Sequence, residues 1–175
     1  MPQTIVIFGA SGDLTSRKLV PALYELFRKR RLPEKTRIVG FSRTPFSHAA
    51  WQEKLAESTA QFVGPYFDKA AWADFASFLY YQPGDIGSPD DFPPLARFLA
   101  DLEGDAGAAR IYYLATAPRF YEPAIAQLGA SGLASEDGGA RRIVIEKPFG
   151  SDLASARRLN DALHEVFAER QVYRI

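Results

Sequence analysis

The sequence lacks cysteine entirely and contains only two histidines, His48 and His164, among its 175 residues. Disulfides, thiolate metal sites and cysteine nucleophiles are therefore excluded. Two histidines so far apart are a poor basis for a zinc site, and we predict no metal site. Net charge is also lacking, because 21 Lys and Arg residues balance 21 Asp and Glu residues. This balance argues against nucleic acid as the main partner.

Long apolar runs are missing too. No stretch approaches the roughly 20 apolar residues that a membrane-spanning helix needs. Residues 1–8 show no basic segment followed by an apolar leader and a small-residue cleavage site. A hydrophobic content of 47% can supply a core, and 175 residues suit one domain better than two. We therefore expect a single cytoplasmic domain over residues 1–175 that has no membrane contact.

Strand-like and helical patterns alternate along the chain. Apolar runs rich in Ile, Val, Phe and Tyr occur at 4–9, 36–42, 78–82, 110–116 and 142–146, and 172–175 begins another. Helical patterns occupy 47–61, 68–76, 89–102, 119–130 and a segment that starts at a Ser151 cap. Pro21 either breaks the first helical pattern, leaving a short turn from Asp13 before it, or kinks a single helix.

This alternation predicts an α/β fold. Strand-helix repeats favour parallel pairing with right-handed crossovers, and continuous apolar runs are typical of strands covered on both faces. We predict a doubly wound, mostly parallel, Rossmann-like sheet with helices on both faces. Ligands of such sheets bind beyond the carboxyl ends of the strands.

A glycine corner, Gly-Ala-Ser-Gly at 9–12, separates the first strand from the first helix. Gly9 permits a tight turn, and the free amides of a helix start suit a diphosphate. The Asp13 carboxylate is suited to cap that helix. Leucine and threonine at 14 and 15 replace the third glycine of the full dinucleotide fingerprint, so the corner is either a structural turn or a partial nucleotide site. The spacing of a triphosphatase phosphate loop is absent.

The end of the second strand indicates which dinucleotide would bind. Sheets that bind NAD place an Asp or Glu there to hold the ribose hydroxyls, whereas this chain has Phe-Ser-Arg-Thr at 41–44. An acidic side chain would repel a 2′-phosphate, but a guanidinium pairs with it. Arg43 therefore favours NADP over NAD; the alternative is a solvated loop arginine.

Taken together, GASGDL at 9–14, Arg43, YYLATAPRFY at 112–121 and IVIEKPFGSDLASA at 143–156 resemble the glucose-6-phosphate dehydrogenase family. The resemblance runs from residue 4 to the end and corresponds to the family's N-terminal coenzyme domain. It implies an NADP-dependent enzyme of the pentose phosphate pathway that oxidises glucose 6-phosphate to 6-phosphogluconolactone. It also implies that the whole enzyme is a homo-oligomer.

The resemblance implies coenzyme contacts for residues at the strand ends: Gly9, Ala10, Ser11, Gly12, Asp13, Leu14, Thr15, Ser16, Arg43, Asp85, Ile86, Tyr113, Ala115 and Lys147. The stretch 9–16 corresponds to the diphosphate loop, and Arg43, with Ser42 and Thr44 beside it, to the 2′-phosphate contact.

The remaining assignments also come from the resemblance. Asp85 and Ile86 correspond to a stretch near the adenosine, and Tyr113 and Ala115 to the cofactor groove. Lys147 corresponds to a lysine that faces both the nicotinamide and the sugar, preceding a cis proline bond.

The resemblance stops short of the catalytic groups. In the family, the chain continues into a D-H-Y-L-G-K motif and a large antiparallel domain, which carry the catalytic histidines and the dimer contact. We therefore expect residues 1–175 to be a truncated coenzyme domain with no catalytic residue and no activity of its own. Two alternatives stay open: a non-catalytic NADP-binding sensor, and an atypical short-chain reductase without that class's Tyr-x-x-x-Lys pair.

Overall fold

Six parallel strands form one sheet in the computed structural model, which describes residues 2–175. The strands are β1 (Gln3–Phe8), β2 (Thr36–Ser42), β3 (Leu79–Pro83), β4 (Ala109–Leu114), β5 (Arg141–Ile145) and β6 (Val172–Arg174). They lie in the order β3-β2-β1-β4-β5-β6, and each neighbouring pair is parallel. This order confirms the predicted Rossmann-like fold. The strand order reverses between β1 and β4, where a crevice for ligands opens.

Helices cover both faces of the sheet, as predicted. Their bounds are α1 (Val20–Arg28), α2 (His48–Val63), α3 (Lys69–Ala76), α4 (Phe92–Glu103), α5 (Tyr121–Ala130) and α6 (Leu153–Val166). Buried side chains of α1, α2 and α3 pack in one core cluster, and those of α4, α5 and α6 pack in another. β1 contributes side chains to both clusters, since Ile5 and Ile7 lie in the first and Val6 and Phe8 in the second.

The first helical region is one continuous segment over 13–28, so a separate turn followed by a new helix is wrong. A π-helical turn at Thr15–Leu19 leads directly into α1, where Pro21 lies in the first turn. Proline has no amide hydrogen, so a looser turn before it accommodates the missing donor without ending the helix.

The predicted start of the last helix needs correction. Asp152, rather than Ser151, caps α6, because its carboxylate accepts a hydrogen bond from the Ser155 amide at 2.7 Å. Leu153, in the first turn of α6, is 66% exposed, whereas Leu159 and Leu163 are buried.

Candidate coenzyme-binding site

A cleft of about 680 Å³ opens beyond the carboxyl ends of β1, β2, β3 and β4. We call it the switch-point cleft, because it lies where the strand order reverses. Its lining comes from the segments that follow the four strands: Gly9, Ser11, Gly12, Ser42, Arg43, Thr44, Pro45, Gly84, Asp85, Ile86, Ala115, Thr116, Ala117 and Phe120. Doubly wound folds use this position for their ligands.

Gly9 allows the β1 and β4 ends to meet at the floor of this cleft. Its φ of +85° favours glycine, and a Cβ there would lie 2.2 Å from the Ala115 carbonyl oxygen. Hydrogen bonds fix the corner from both sides. The amides of Gly9 and Ala10 donate to the Phe41 carbonyl at 3.0 and 3.3 Å, and the Ala115 amide donates to Phe8 at 2.9 Å.

The residues that follow this corner stabilise the turn by hydrogen bonds and do not line the cleft. The buried Thr15 hydroxyl donates to the Gly9 carbonyl at 3.1 Å, and the Ser16 amide donates to Gly12 at 3.2 Å. Ala10 is 1% exposed and lies beneath the lining, and Leu14 also lies outside it. These contacts hold residues 9–12 in one conformation.

Asp13 does not cap the helix, contrary to the prediction. It is already helical, its side chain is 90% exposed, and its carboxylate lies 3.8 Å from the Arg17 guanidinium. Within residues 2–175, the amides of Ser11, Asp13 and Leu14 donate no backbone hydrogen bond outside the helix ladder. Unpaired amides at a helix start are donors suited to an anion.

Arg43 lies on the opposite wall, directly after β2. Its side chain is exposed, and no ion pair in the described part of the chain involves it. Asp85 and Ile86 adjoin it in the lining, where the Asp85 carboxylate accepts from the Gly87 amide at 2.8 Å. The structure thus brings the glycine corner, Arg43 and residues 84–86, which we call the Asp85 segment, to one cleft.

Tyr113 and Lys147 lie outside the lining of the switch-point cleft. Tyr113 donates its hydroxyl to the Glu146 carboxylate, while Tyr121 donates to the Glu146 carbonyl at 3.2 Å. Burial raises the pKa of Tyr113, and the adjacent Glu146 raises it further, so this hydroxyl remains a donor at neutral pH. Lys147 is exposed beyond the end of β5, and its bond to Pro148 is cis, as the resemblance implied.

Five lining residues were not anticipated: Pro45, Gly84, Thr116, Ala117 and Phe120. The first four follow the ends of β2, β3 and β4 closely. The rule that ligands lie beyond the carboxyl ends of parallel strands would have found them if applied to every strand. Phe120 lies further along the chain, in a short helical turn before α5. It belongs to the YYLATAPRFY stretch that carries the resemblance, and that stretch is the signal that could have pointed to it.

Metal ligands and membrane spans were also sought over residues 2–175. No group of three or more His, Asp or Glu side chains there is placed to hold a metal ion. In the same residues, no helix combines the length and the apolar character required to cross a membrane.

Comparison with known proteins agrees with the fold. The family model described as "Glucose-6-phosphate dehydrogenase, NAD binding domain" matches residues 6–175. A glucose-6-phosphate 1-dehydrogenase of Mycolicibacterium smegmatis is 39% identical over 176 residues, which cover 99% of this chain and 35% of that protein. One of Treponema pallidum is 41% identical over 178 residues, covering 99% and 34%.

Solved structures give the same result. A structure titled "Glucose-6-phosphate dehydrogenase in complex with its substrate glucose-6-phosphate" has a TM-score of 0.88 at 32% identity, covering 99% of this chain and 36% of that one. A short-chain dehydrogenase from Streptomyces avermitilis, with a TM-score of 0.51 at 12% identity, shares the fold alone. The chain spans about a third of the length of its curated relatives. It belongs to the glucose-6-phosphate dehydrogenase family and corresponds to its NAD binding domain.

Proposed function

We propose that residues 1–175 form one dinucleotide-binding domain that holds NADP, and that the whole enzyme oxidises glucose 6-phosphate to 6-phosphogluconolactone. The observation that carries the proposal is the lining of a single cleft by both the glycine corner and Arg43. An arginine replaces the acidic residue that NAD-binding sheets place after the second strand. Family membership supports the substrate assignment.

The two walls of the cleft have separate roles in this proposal. The unpaired amide of Ser11, which lines the cleft, and those of Asp13 and Leu14 just beyond the lining would hold the diphosphate, since a helix start favours negative charge. Arg43 would hold the 2′-phosphate through paired N–H donors. The Asp85 segment would adjoin the adenosine.

The nicotinamide end would lie towards β4 and β5. There residues 115–117 would form the groove for the nicotinamide. Tyr113 would keep Glu146 oriented beside Lys147. Lys147, which is exposed, would contact both the coenzyme and the sugar. Bound NADP supplies the hydride acceptor of the reaction.

Neither histidine of the chain is placed to serve as the general base. His48 Nδ1 accepts the Tyr81 amide hydrogen at 2.9 Å, and His164 Nε2 lies 3.2 Å from a Glu169 carboxylate oxygen. Neither residue lines the switch-point cleft. We therefore propose that residues 1–175 bind NADP without turning it over. We further propose, from the family, that the whole enzyme is cytoplasmic and homo-oligomeric.

NADP should raise the melting temperature of this protein more than NAD at the same concentration. A ligand at about 100 times its dissociation constant stabilises the native state by about 2.7 kcal/mol, which corresponds to about 5–10 °C for a domain of this size. Differential scanning fluorimetry with the two coenzymes measures the shift. Equal shifts, or none with NADP, would contradict the proposed preference.

Adding glucose 6-phosphate and NADP to this protein should produce no NADPH absorbance. The proposed reason is that neither histidine lines the cleft, where one would be needed to take the C1 hydroxyl proton as the hydride leaves. A full-length relative, assayed separately under the same conditions, provides the positive control. Turnover by residues 1–175 alone would show that a catalytic group lies within them.

A further inference from the structure

On the basis of the NADP site proposed above, we propose that Tyr81 is the positioning residue for 2′-phosphate recognition. Residues 42–44, which we call the Arg43 segment, begin at the last residue of β2 and carry Arg43 at their centre. Tyr81 belongs to the neighbouring edge strand β3 and does not line the switch-point cleft. It acts through the two residues on either side of Arg43, Ser42 and Thr44.

One phenol hydroxyl joins both neighbours of Arg43. The Tyr81 hydroxyl lies 2.6 Å from the Thr44 carbonyl oxygen, 3.1 Å from the Ser42 carbonyl oxygen and 2.7 Å from Ser42 Oγ. Because a phenol has a single proton, it donates to the Thr44 carbonyl, the nearer of the two, and accepts from the Ser42 hydroxyl. One side chain thereby holds both neighbours of Arg43, Thr44 through its backbone carbonyl and Ser42 through its hydroxyl.

The Tyr81 ring is itself held on several sides. It is 2% exposed, with the Phe46 ring edge-on at 5.5 Å and the Trp51 ring at 5.4 Å. Its amide donates to His48 Nδ1 at 2.9 Å. Burial raises the pKa of Tyr81, against a smaller lowering effect of the Ser42 hydrogen bond, so the hydroxyl stays protonated and can donate.

The same support reaches the other wall of the cleft. Trp51, which packs against Tyr81, donates its indole N–H to the Ala10 carbonyl at 3.1 Å. Tyr81 and Trp51 thus lie beneath both the Arg43 segment and the glycine corner. An exposed arginine side chain loses conformational freedom when it binds a phosphate, and a fixed backbone reduces that cost. Without the phenol, the Thr44 carbonyl would keep only the Phe46 amide as a donor, at 2.9 Å, and the Ser42 hydroxyl would lose its partner. The segment would therefore loosen.

The test compares Tyr81→Phe with Tyr112→Phe. Tyr112 is fully buried, and its hydroxyl donates to the Leu133 carbonyl at 2.7 Å in the core on the other face of the sheet. Each variant therefore removes one buried phenol hydroxyl, with two hydrogen bonds lost at Tyr81 and one at Tyr112, but only Tyr81 adjoins the Arg43 segment. Isothermal titration with 2′,5′-ADP and 5′-AMP measures the preference for the 2′-phosphate in each protein.

Tyr81→Phe should lower the preference for 2′,5′-ADP over 5′-AMP by about 3- to 10-fold, the size of effect expected for one hydrogen bond. The loss should fall on 2′,5′-ADP, while 5′-AMP binds as before. Tyr112→Phe should lower the melting temperature and leave the preference unchanged. Melting curves of both variants confirm that each is folded at the temperature of the titration.

The outcomes separate this role from the proposed function. A wild-type protein that binds the two nucleotides equally would overturn the NADP assignment and the Tyr81 role with it. A wild-type preference that Tyr81→Phe preserves would overturn the Tyr81 role alone. Equal weakening of both nucleotides would do the same, since it would indicate general structural support.

Discussion

Replacing Arg43 with alanine is expected to weaken NADP binding by about 10- to 100-fold, the range for a charge-assisted hydrogen-bonded pair. NAD binding should stay the same, because NAD lacks the 2′-phosphate. The guanidinium lines the cleft, and within residues 2–175 no carboxylate forms an ion pair with it. Isothermal titration of wild type and variant with both coenzymes gives the two affinities directly.

Two further variants sharpen this experiment. Arg43→Lys keeps the charge but loses the planar fork of donors, so its NADP affinity should fall between those of wild type and Arg43→Ala. Arg31→Ala removes an exposed cation before β2, at the opposite end of that strand, and should change neither affinity. If the ratio of NADP affinity to NAD affinity is the same in Arg43→Ala as in wild type, Arg43 is a solvated loop arginine.

Gly9→Ala should lower the free energy of unfolding by more than about 3 kcal/mol, enough to prevent folding if the domain is marginal. The added methyl group would lie 2.2 Å from the Ala115 carbonyl oxygen and 2.9 Å from its carbon, both of them backbone atoms. To relieve the clash, β1 and β4 would have to separate where the cleft opens. Urea denaturation of the variant measures the loss.

Gly132→Ala is the matched control for this change. Gly132 has a similar φ of +71°, but a Cβ there meets nothing within 4 Å. It should therefore cost only the left-handed backbone strain, about 1 kcal/mol. The difference between the two variants isolates the close approach of Gly9 to Ala115. Equal losses of unfolding free energy in the two variants would mean that the close contact between Gly9 and Ala115 is unimportant for stability.

The sheet could be predicted from the sequence because its strands are continuous apolar runs between helical patterns. Their ends were less predictable. The runs at 4–9 and 110–116 extend past the observed ends of β1 and β4, since Gly9 and Ala115 are as apolar as the strands. What ends β1 is the backbone conformation of Gly9, and hydrophobicity does not report conformation. The helix cap at Asp152 was missed for a related reason, because Ser151 beside it is equally suited by composition.

The cleft was predictable where chemistry marks a position. Gly9 and Arg43 directly follow predicted strands and carry a conformational or charge signal, and both line the cleft. The support beneath them was not predictable. Tyr81 and Trp51 look like ordinary core aromatics of a strand and a helix, and only the packing of α2 against β3 shows that they connect the two walls.

A crystal structure of this protein with NADP bound tests the central claim most directly. The account predicts the dinucleotide in the switch-point cleft, with its diphosphate at the amides of residues 11–14 and its 2′-phosphate against the Arg43 guanidinium. An empty cleft at saturating NADP, or a dinucleotide bound at another surface, would contradict it.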